Sequence, residues 1–179
     1  DVTMLEAHGT GTSLGDPIEV QALRAVLGMP RADGTPCWLG ALKTNIGHLE
    51  GAAGVAGVIK AALVLAMEKI PKNLHLRTLN AHIELDGSAL KLANEAVAWP
   101  RGSKPRFAGV SGFGLSGTNV HVVLEEAPSQ PVPRATTDRP AALVVLSGRT
   151  EGSLWGQAAR LAQHLQQHPD LSLQDVAYG

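Results

Sequence analysis

Short apolar runs separated by glycine-rich turns set the pattern of the first 127 residues. Residues 2–7 (VTMLEA) predict a strand, followed by the turn Gly9-Thr10-Gly11-Thr12-Ser13-Leu14-Gly15. Asp16-Pro17-Ile18-Glu19 predicts a helix start, with Asp16 as the cap, Pro17 at the first helical position and Glu19 three residues after the cap. Ile18, Ala22, Ala25 and Val26 share one face at helical spacing, and the helix should stop near Gly28-Met29-Pro30. Residues 38–42 predict a second strand, and the loop 43–48 leads into a long helix over 51–67. Gly47, Gly51, Gly54 and Gly57 form a small-residue stripe along it, open to close approach by another helix. Its other faces are Val, Ile, Leu and Ala, so burial nearly all round is expected. Residues 71–105 predict irregular structure. Residues 107–111 and 120–124 predict two strands joined by the turn 112–119.

The pattern then changes. Pro128, Pro131, Pro133 and Pro140 mark residues 128–141 as a stiff, surface-running linker. A strand over 143–146 and a helix over 150–167 follow, the helix burying Leu154, Ala158, Leu161, Ala162 and Leu165. Ser172-Leu173-Gln174-Asp175 is another helix-start signal. The expected organisation is a main unit 1–127, the linker, and a small partial unit 142–179. Asp1 opens inside a strand pattern and Gly179 closes on a helical one, as expected of a piece cut from a longer polypeptide.

Apolar residues make up 44% of the 179 residues but aromatics only 3%, so the core must be aliphatic and glycine-rich. A formal net charge of −1 without a basic stripe argues against a nucleic-acid surface. One cysteine, Cys37, excludes an internal disulfide and fits a reducing, cytoplasmic setting. The apolar stretch 55–67 is interrupted by Lys60 and falls short of the ~20 residues a bilayer span needs.

Gly112-Phe113-Gly114-Leu115-Ser116-Gly117 spells a dinucleotide fingerprint, but it opens a β-type run where the fingerprint must open a helix. Gly9 to Gly15 lies between strand and helix, but its spacing is one residue too long. His8 and His48 each stand beside a glycine at a strand-to-helix junction, where α/β proteins place chemistry. Two hydrogen-bonded loop histidines are the plainer alternative. Zinc is a third, with no further ligand at matching spacing.

Glu6-Ala7-His8-Gly9-Thr10-Gly11-Thr12, with Gly15-Asp16-Pro17-Ile18-Glu19, resembles the first histidine motif of ketosynthases. Lys43-Thr44-Asn45-Ile46-Gly47-His48-Leu49-Glu50-Gly51-Ala52-Ala53-Gly54 resembles the second, and Gly114-Leu115-Ser116-Gly117-Thr118-Asn119-Val120-His121 the C-terminal glycine loop. The resemblance covers about residues 1–127, and the run 122–128 looks like that of a modular type I polyketide synthase. The tail looks like the start of the ketosynthase-to-acyltransferase linker.

This resemblance implies the C-terminal half of a thiolase-like αβαβα fold, followed by a partial α/β linker unit. It implies decarboxylative Claisen condensation of a cysteine-bound acyl thioester with a malonyl-type unit. His8 and His48 are then the catalytic enolate donors, and Lys43 their electrostatic support. Thr10 and Thr12 match the threonines that bond the pantetheine amides. Phe113, Gly114 and Leu115 form the gate and oxyanion loop, with Leu115 at the gatekeeper position. No directly bound cofactor and no metal are implied. The implied partners are an acyl carrier protein, which bears the phosphopantetheine, a neighbouring acyltransferase or linker domain, and a second copy in a homodimeric parent. Nucleic acid and membrane are not among them.

Three departures stand out. The nucleophilic cysteine is expected upstream, and Cys37 is not its counterpart. Gly57 stands where discrete bacterial enzymes carry an acid, leaving Lys43 without an evident partner. Gly112 replaces a more usual Ser. The chain alone is therefore expected to be inactive, to lack a normal core and to expose the helix face that should meet the other half. A non-catalytic docking role, a non-elongating ketosynthase and an animal-type fatty acid synthase remain open as alternatives.

Overall fold

In a computed structural model, residues 2–128 and 141–178 are described; Asp1, most of the Pro-rich linker and Gly179 lie outside them. The chain divides into two compact units, Asp1–Pro128 and Ser129–Gly179.

The first unit is built on a mixed sheet. Its elements run β1 (Val2–Glu6), α1 (Gly15–Leu27), β2 (Cys37–Gly40), α2 (Lys43–Ile46), a 3₁₀ turn (Glu50–Ala52), α3 (Ala53–Met67), β3 (Lys69–Ile70), β4 (Leu90–Leu92), β5 (Val97–Ala98), β6 (Phe107–Phe113) and β7 (Asn119–Glu125). The sheet order is β4-β2-β1-β6-β7, and β3 pairs with β5 separately. β1 lies parallel to both β2 and β6, β2 parallel to β4, and β6–β7 is an antiparallel hairpin. The chain leaves β1 on one side and returns as β6 on the other. Sheets of this kind place their chemistry at such a switch, beyond the carboxyl ends of the strands.

Two apolar clusters sandwich the sheet. Met4, Ala108 and Val110 pack against Ala61, Val64 and Leu65 of α3. Leu5, Cys37, Leu39 and Leu90 pack against Val20 of α1, with Leu23 and Leu27 beside them. Met4 and Leu5 are adjacent in β1 yet fall in different clusters, because neighbouring strand residues point to opposite faces. That double burial explains why consecutive residues Met4 and Leu5 of β1 are both apolar. Met4, Leu5, Cys37 and Ile70 have no exposed surface and form the buried centre of the unit.

Several expectations change. α3 is not buried all round: Gly57, Ala61, Val64 and Leu65 face inward, while Val55, Ile59, Leu63 and Met67 stay more than half exposed. Of its glycine stripe, Gly57 faces the sheet, where an added Cβ would lie 3.0 Å from Val110, whereas Gly47, Gly51 and Gly54 have nothing nearby. The helical run Glu50–Met67 is 18 residues with mean hydropathy 1.6, long and apolar enough to cross a membrane, contrary to the shorter stretch read from sequence. Its Lys60 is paired with Glu6 of β1 and its inward face packs on the sheet, as in a core helix. Asp16 is not the cap of α1, whose N-cap is Leu14; instead it accepts the Gly11 N–H, and Thr12 Oγ1 accepts the Gly15 N–H. The region 71–105, expected to be irregular, supplies edge strand β4 and the short β5.

A buried clamp closes the lower end of this unit. The Arg106 guanidinium pairs with both Glu126 carboxylate oxygens at 2.8 and 3.0 Å and donates to the carbonyls of Leu65 and Trp99. These bonds hold Glu126 well below the usual carboxylate range, at about 2.

In the second unit, α4 (Glu151–Gln167) opens on a capping box between Thr150 and Ser153, and α5 (Leu173–Tyr178) follows Ser172. Residues 143–146 form no strand. Ala158, Leu161 and Leu165 of α4 are only half-buried, and Leu154 and Ala162 are exposed, so the expected buried face has no full cover among the described residues.

Candidate active site

The carboxyl ends of β1, β2 and β6 converge on a cavity of about 280 Å³, lined by His8, Lys43, His48, Phe113 and Gly114 among others. β1 delivers His8 two residues past its end. β2 leads through Ala41 and Leu42 into α2, which begins with Lys43, and Gly47 ends α2 at φ +72°, a left-handed turn that sets up His48.

The two imidazoles stand edge to face, with ring centroids 5.8 Å apart. Each has its Nδ1 occupied in the same way. His8 Nδ1 accepts the main-chain N–H of Phe113 at 3.3 Å, and His48 Nδ1 accepts that of Glu50 at 2.9 Å. Glu50 donates from a strained backbone, at φ +50°. A ring whose Nδ1 accepts must carry its proton on Nε2, so each histidine is assigned as a neutral Nε2–H donor. Burial first, then the Lys43 ammonium and His48, hold the His8 pKa below the ordinary histidine value.

Lys43 Nζ donates to the carbonyl of His8, so its direct partner is main chain. Burial lowers the Lys43 pKa, and Glu6, Glu19 and Asp16 oppose that shift. Glu19 is buried and accepts the N–H groups of His8 and Gly9 at 2.8 and 2.9 Å, fixing the turn that aims His8; its burial raises its pKa.

The remaining expected site residues sit elsewhere on this surface. Thr10 and Thr12 hydroxyls face one another at 3.3 Å, and neither residue lines the cavity with the histidines. The loop tip Leu115 is fully exposed and also stands off the cavity, while Gly114 closes the hairpin through a bond to the Thr118 carbonyl. Phe113 bridges site and loop, its ring 5.1 Å from that of His8. Cys37 is buried in β2, and burial pushes its thiol pKa up, the opposite of an activated nucleophile. No group of three His, Cys, Asp or Glu among the described residues is placed to hold a metal.

Sequence reasoning passed over the roles of Glu6 and Asn73. Asn73 is buried, accepts the Ala41 N–H and donates to the Leu39 carbonyl, tying the 71–75 loop to the end of β2. The usable signal for Glu6 was a charged residue closing an apolar strand; nothing local marked Asn73.

Residues 1–77 match the family described as "Beta-ketoacyl synthase, C-terminal domain", and residues 80–179 the "Ketoacyl-synthetase C-terminal extension". The chain is 49% identical over 178 residues to erythronolide synthase EryA3 of Saccharopolyspora erythraea, covering 99% of this chain and 6% of that protein. It superposes on ketosynthase twelve of the bacillaene polyketide synthase of Bacillus amyloliquefaciens with a TM-score of 0.80 at 37% identity, over 99% of this chain and 30% of that one. Against the oxazolomycin ketosynthase domain OzmH KS7 of Streptomyces albus JA3453 the TM-score is 0.81 at 37% identity, over 99% and 31%. The chain thus spans under a tenth of that curated relative and under a third of these solved ketosynthases. It belongs to the beta-ketoacyl synthase family, carrying the C-terminal domain and extension of a polyketide-synthase ketosynthase with its thiolase-like fold.

Proposed function

We propose that this chain supplies the enolate-stabilising half of a condensing site that extends acyl chains on a polyketide synthase. The observation that carries the reading is the shared Nδ1 contact: at both His8 and His48 a main-chain N–H donates to Nδ1 beside one cavity, which assigns the ring proton to Nε2.

In the reaction, a malonyl-type thioester on the phosphopantetheine of a carrier protein loses carbon dioxide. The electron pair of the broken C–C bond moves onto the thioester carbonyl, leaving an enolate oxygen. Two neutral N–H donors aimed at that oxygen form an oxyanion hole, a preorganised arrangement worth far more in a water-poor site than in bulk solvent. The enolate carbon then attacks the acyl thioester on a cysteine that this chain does not supply, forming the new C–C bond and releasing the thiolate. Lys43 adds positive charge at the site and holds the His8 carbonyl. Thr10 and Thr12 bond the pantetheine amides, and Leu115 gates the acyl side. Carrier protein, a flanking acyltransferase or linker domain, and a second copy in a homodimer are the partners of the parent enzyme. The isolated chain, without the nucleophile, does not condense.

The test is carbon–carbon bond formation by the full synthase carrying this chain, supplied with an acyl thioester and a malonyl-charged carrier. His8→Ala and His48→Ala should each lower condensation by about 10²–10³-fold. Wild-type rates in both variants would refute the reading.

A further inference from the structure

Glu6 is a carboxylate with almost no exposed surface, in the middle strand of the sheet. Its Oε2 lies 2.7 Å from Lys60 Nζ of α3, and both side chains are largely shielded, at 3% and 11% exposure. Its Oε1 accepts the N–H of Leu42, the residue immediately before Lys43. Two glycines make room for it. A Cβ on Gly40 would come within 2.8 Å of Glu6 Oε2 and 3.1 Å of Lys60 Nζ, and one on Gly57 within 3.5 Å of Glu6 Cγ. A buried ion pair stabilises little by itself, since desolvation offsets much of the attraction, so its place next to the site needs another account.

We propose that Glu6 is a positioning residue: its carboxylate fixes the turn that presents Lys43, and together with Lys60 it sets the local field in which Lys43 holds its proton. This rests on the reading of Lys43 as the ammonium of the condensing site. It gives Lys43 an acidic neighbour from β1, where Gly57 provides none from α3. The ionisable groups around Lys43 are Glu6 on β1, His8 beyond it, Asp16 and Glu19 on α1, His48 after α2 and, through Glu6, Lys60 on α3. Of these, Glu6 is the carboxylate that most favours the charged form of Lys43.

The two members of the pair act on Lys43 with opposite signs. Glu6→Gln removes a negative charge and leaves Lys60 uncompensated, so Lys43 loses its proton at lower pH. Lys60→Met leaves the carboxylate uncompensated, so Lys43 keeps its proton to higher pH. A purely structural role has no such sign, because both substitutions would simply lower activity.

The readout is the pH profile of carbon dioxide release from a malonyl-charged carrier by the full synthase. The alkaline limb should move acidward in Glu6→Gln and alkaline in Lys60→Met, each by about one pH unit, a tenfold change in proton affinity. Glu6→Gln/Lys60→Met should bring it back towards wild type. If Glu6→Gln does not fold, Lys60→Met decides alone: a limb moved to higher pH supports the proposal, and an unmoved or acid-shifted one overturns it. Lys43→Met separates the two layers. If the limb vanishes there but stays fixed in the pair variants, the Glu6 proposal fails and the Lys43 reading stands. If the limb survives in Lys43→Met, the Lys43 reading fails and takes the proposal with it.

Discussion

A histidine donates from Nε2 as a neutral ring only while Nδ1 keeps its lone pair, and at His8 and His48 a main-chain N–H takes that lone pair. Protonating His8 would put a proton where Phe113 already donates, and burial resists it further. The acid limb of decarboxylation belonging to His8 should therefore lie below 6.5, the ordinary histidine value, with activity retained above it. A pH–rate profile checks this; a limb at or above 6.5 that disappears in His8→Ala would contradict it. The histidines and Lys43 were legible because their motifs are contiguous. Glu19 was read as a local capping residue, yet its partners are the N–H groups of His8 and Gly9, ten and eleven residues back. Asn73 acts across 32 residues, and no spacing along the chain reveals a contact made by folding.

Elements carry these side chains only if their packing holds. α3 lies on β6 through Gly57, where even an added Cβ would come within 3.0 Å of Val110, so a large side chain has no room. Gly57→Leu should destabilise the unit by about 1–3 kcal/mol, as overpacked cores do, read as a lower urea midpoint. The Arg106–Glu126 clamp joins the end of α3 to the exit of β7. Because Glu126 titrates at about 2 when folded and near 4.5 when free, its contribution is complete above 4.5 and disappears as pH falls towards 2. Arg106→Met should lower the melting temperature at neutral pH and flatten its decline across that acid window. Long elements with clear periods, α1, α3, α4 and the β6–β7 hairpin, were readable in advance. β4 and β5 were not, because at three and two residues they are defined by the partners they pair with. Residues 143–146 have a strand's apolar pattern but no strand beside them among the described residues, and apolar pattern alone does not make a sheet.

At the scale of the molecule, the sheet is covered on both faces, yet α3 presents Val55, Ile59, Leu63 and Met67 outward. An open apolar face of this kind favours association. The isolated chain should self-associate in sedimentation velocity, and Ile59→Glu/Leu63→Glu should reduce that association without unfolding the chain; a monomeric wild type would contradict this. The sequence pattern implied that this helix meets another element, but its uniform apolarity hid which face already packs on the sheet.

The central claim is that His8 and His48 act on the enolate, leaving acyl loading to other groups. The most direct test compares two half-reactions in the full synthase: acyl transfer onto the enzyme and decarboxylation of the malonyl-charged carrier. In His8→Ala and His48→Ala the account predicts acyl loading near wild type, with decarboxylation lowered about 10²–10³-fold. Loss of loading with decarboxylation intact would contradict it.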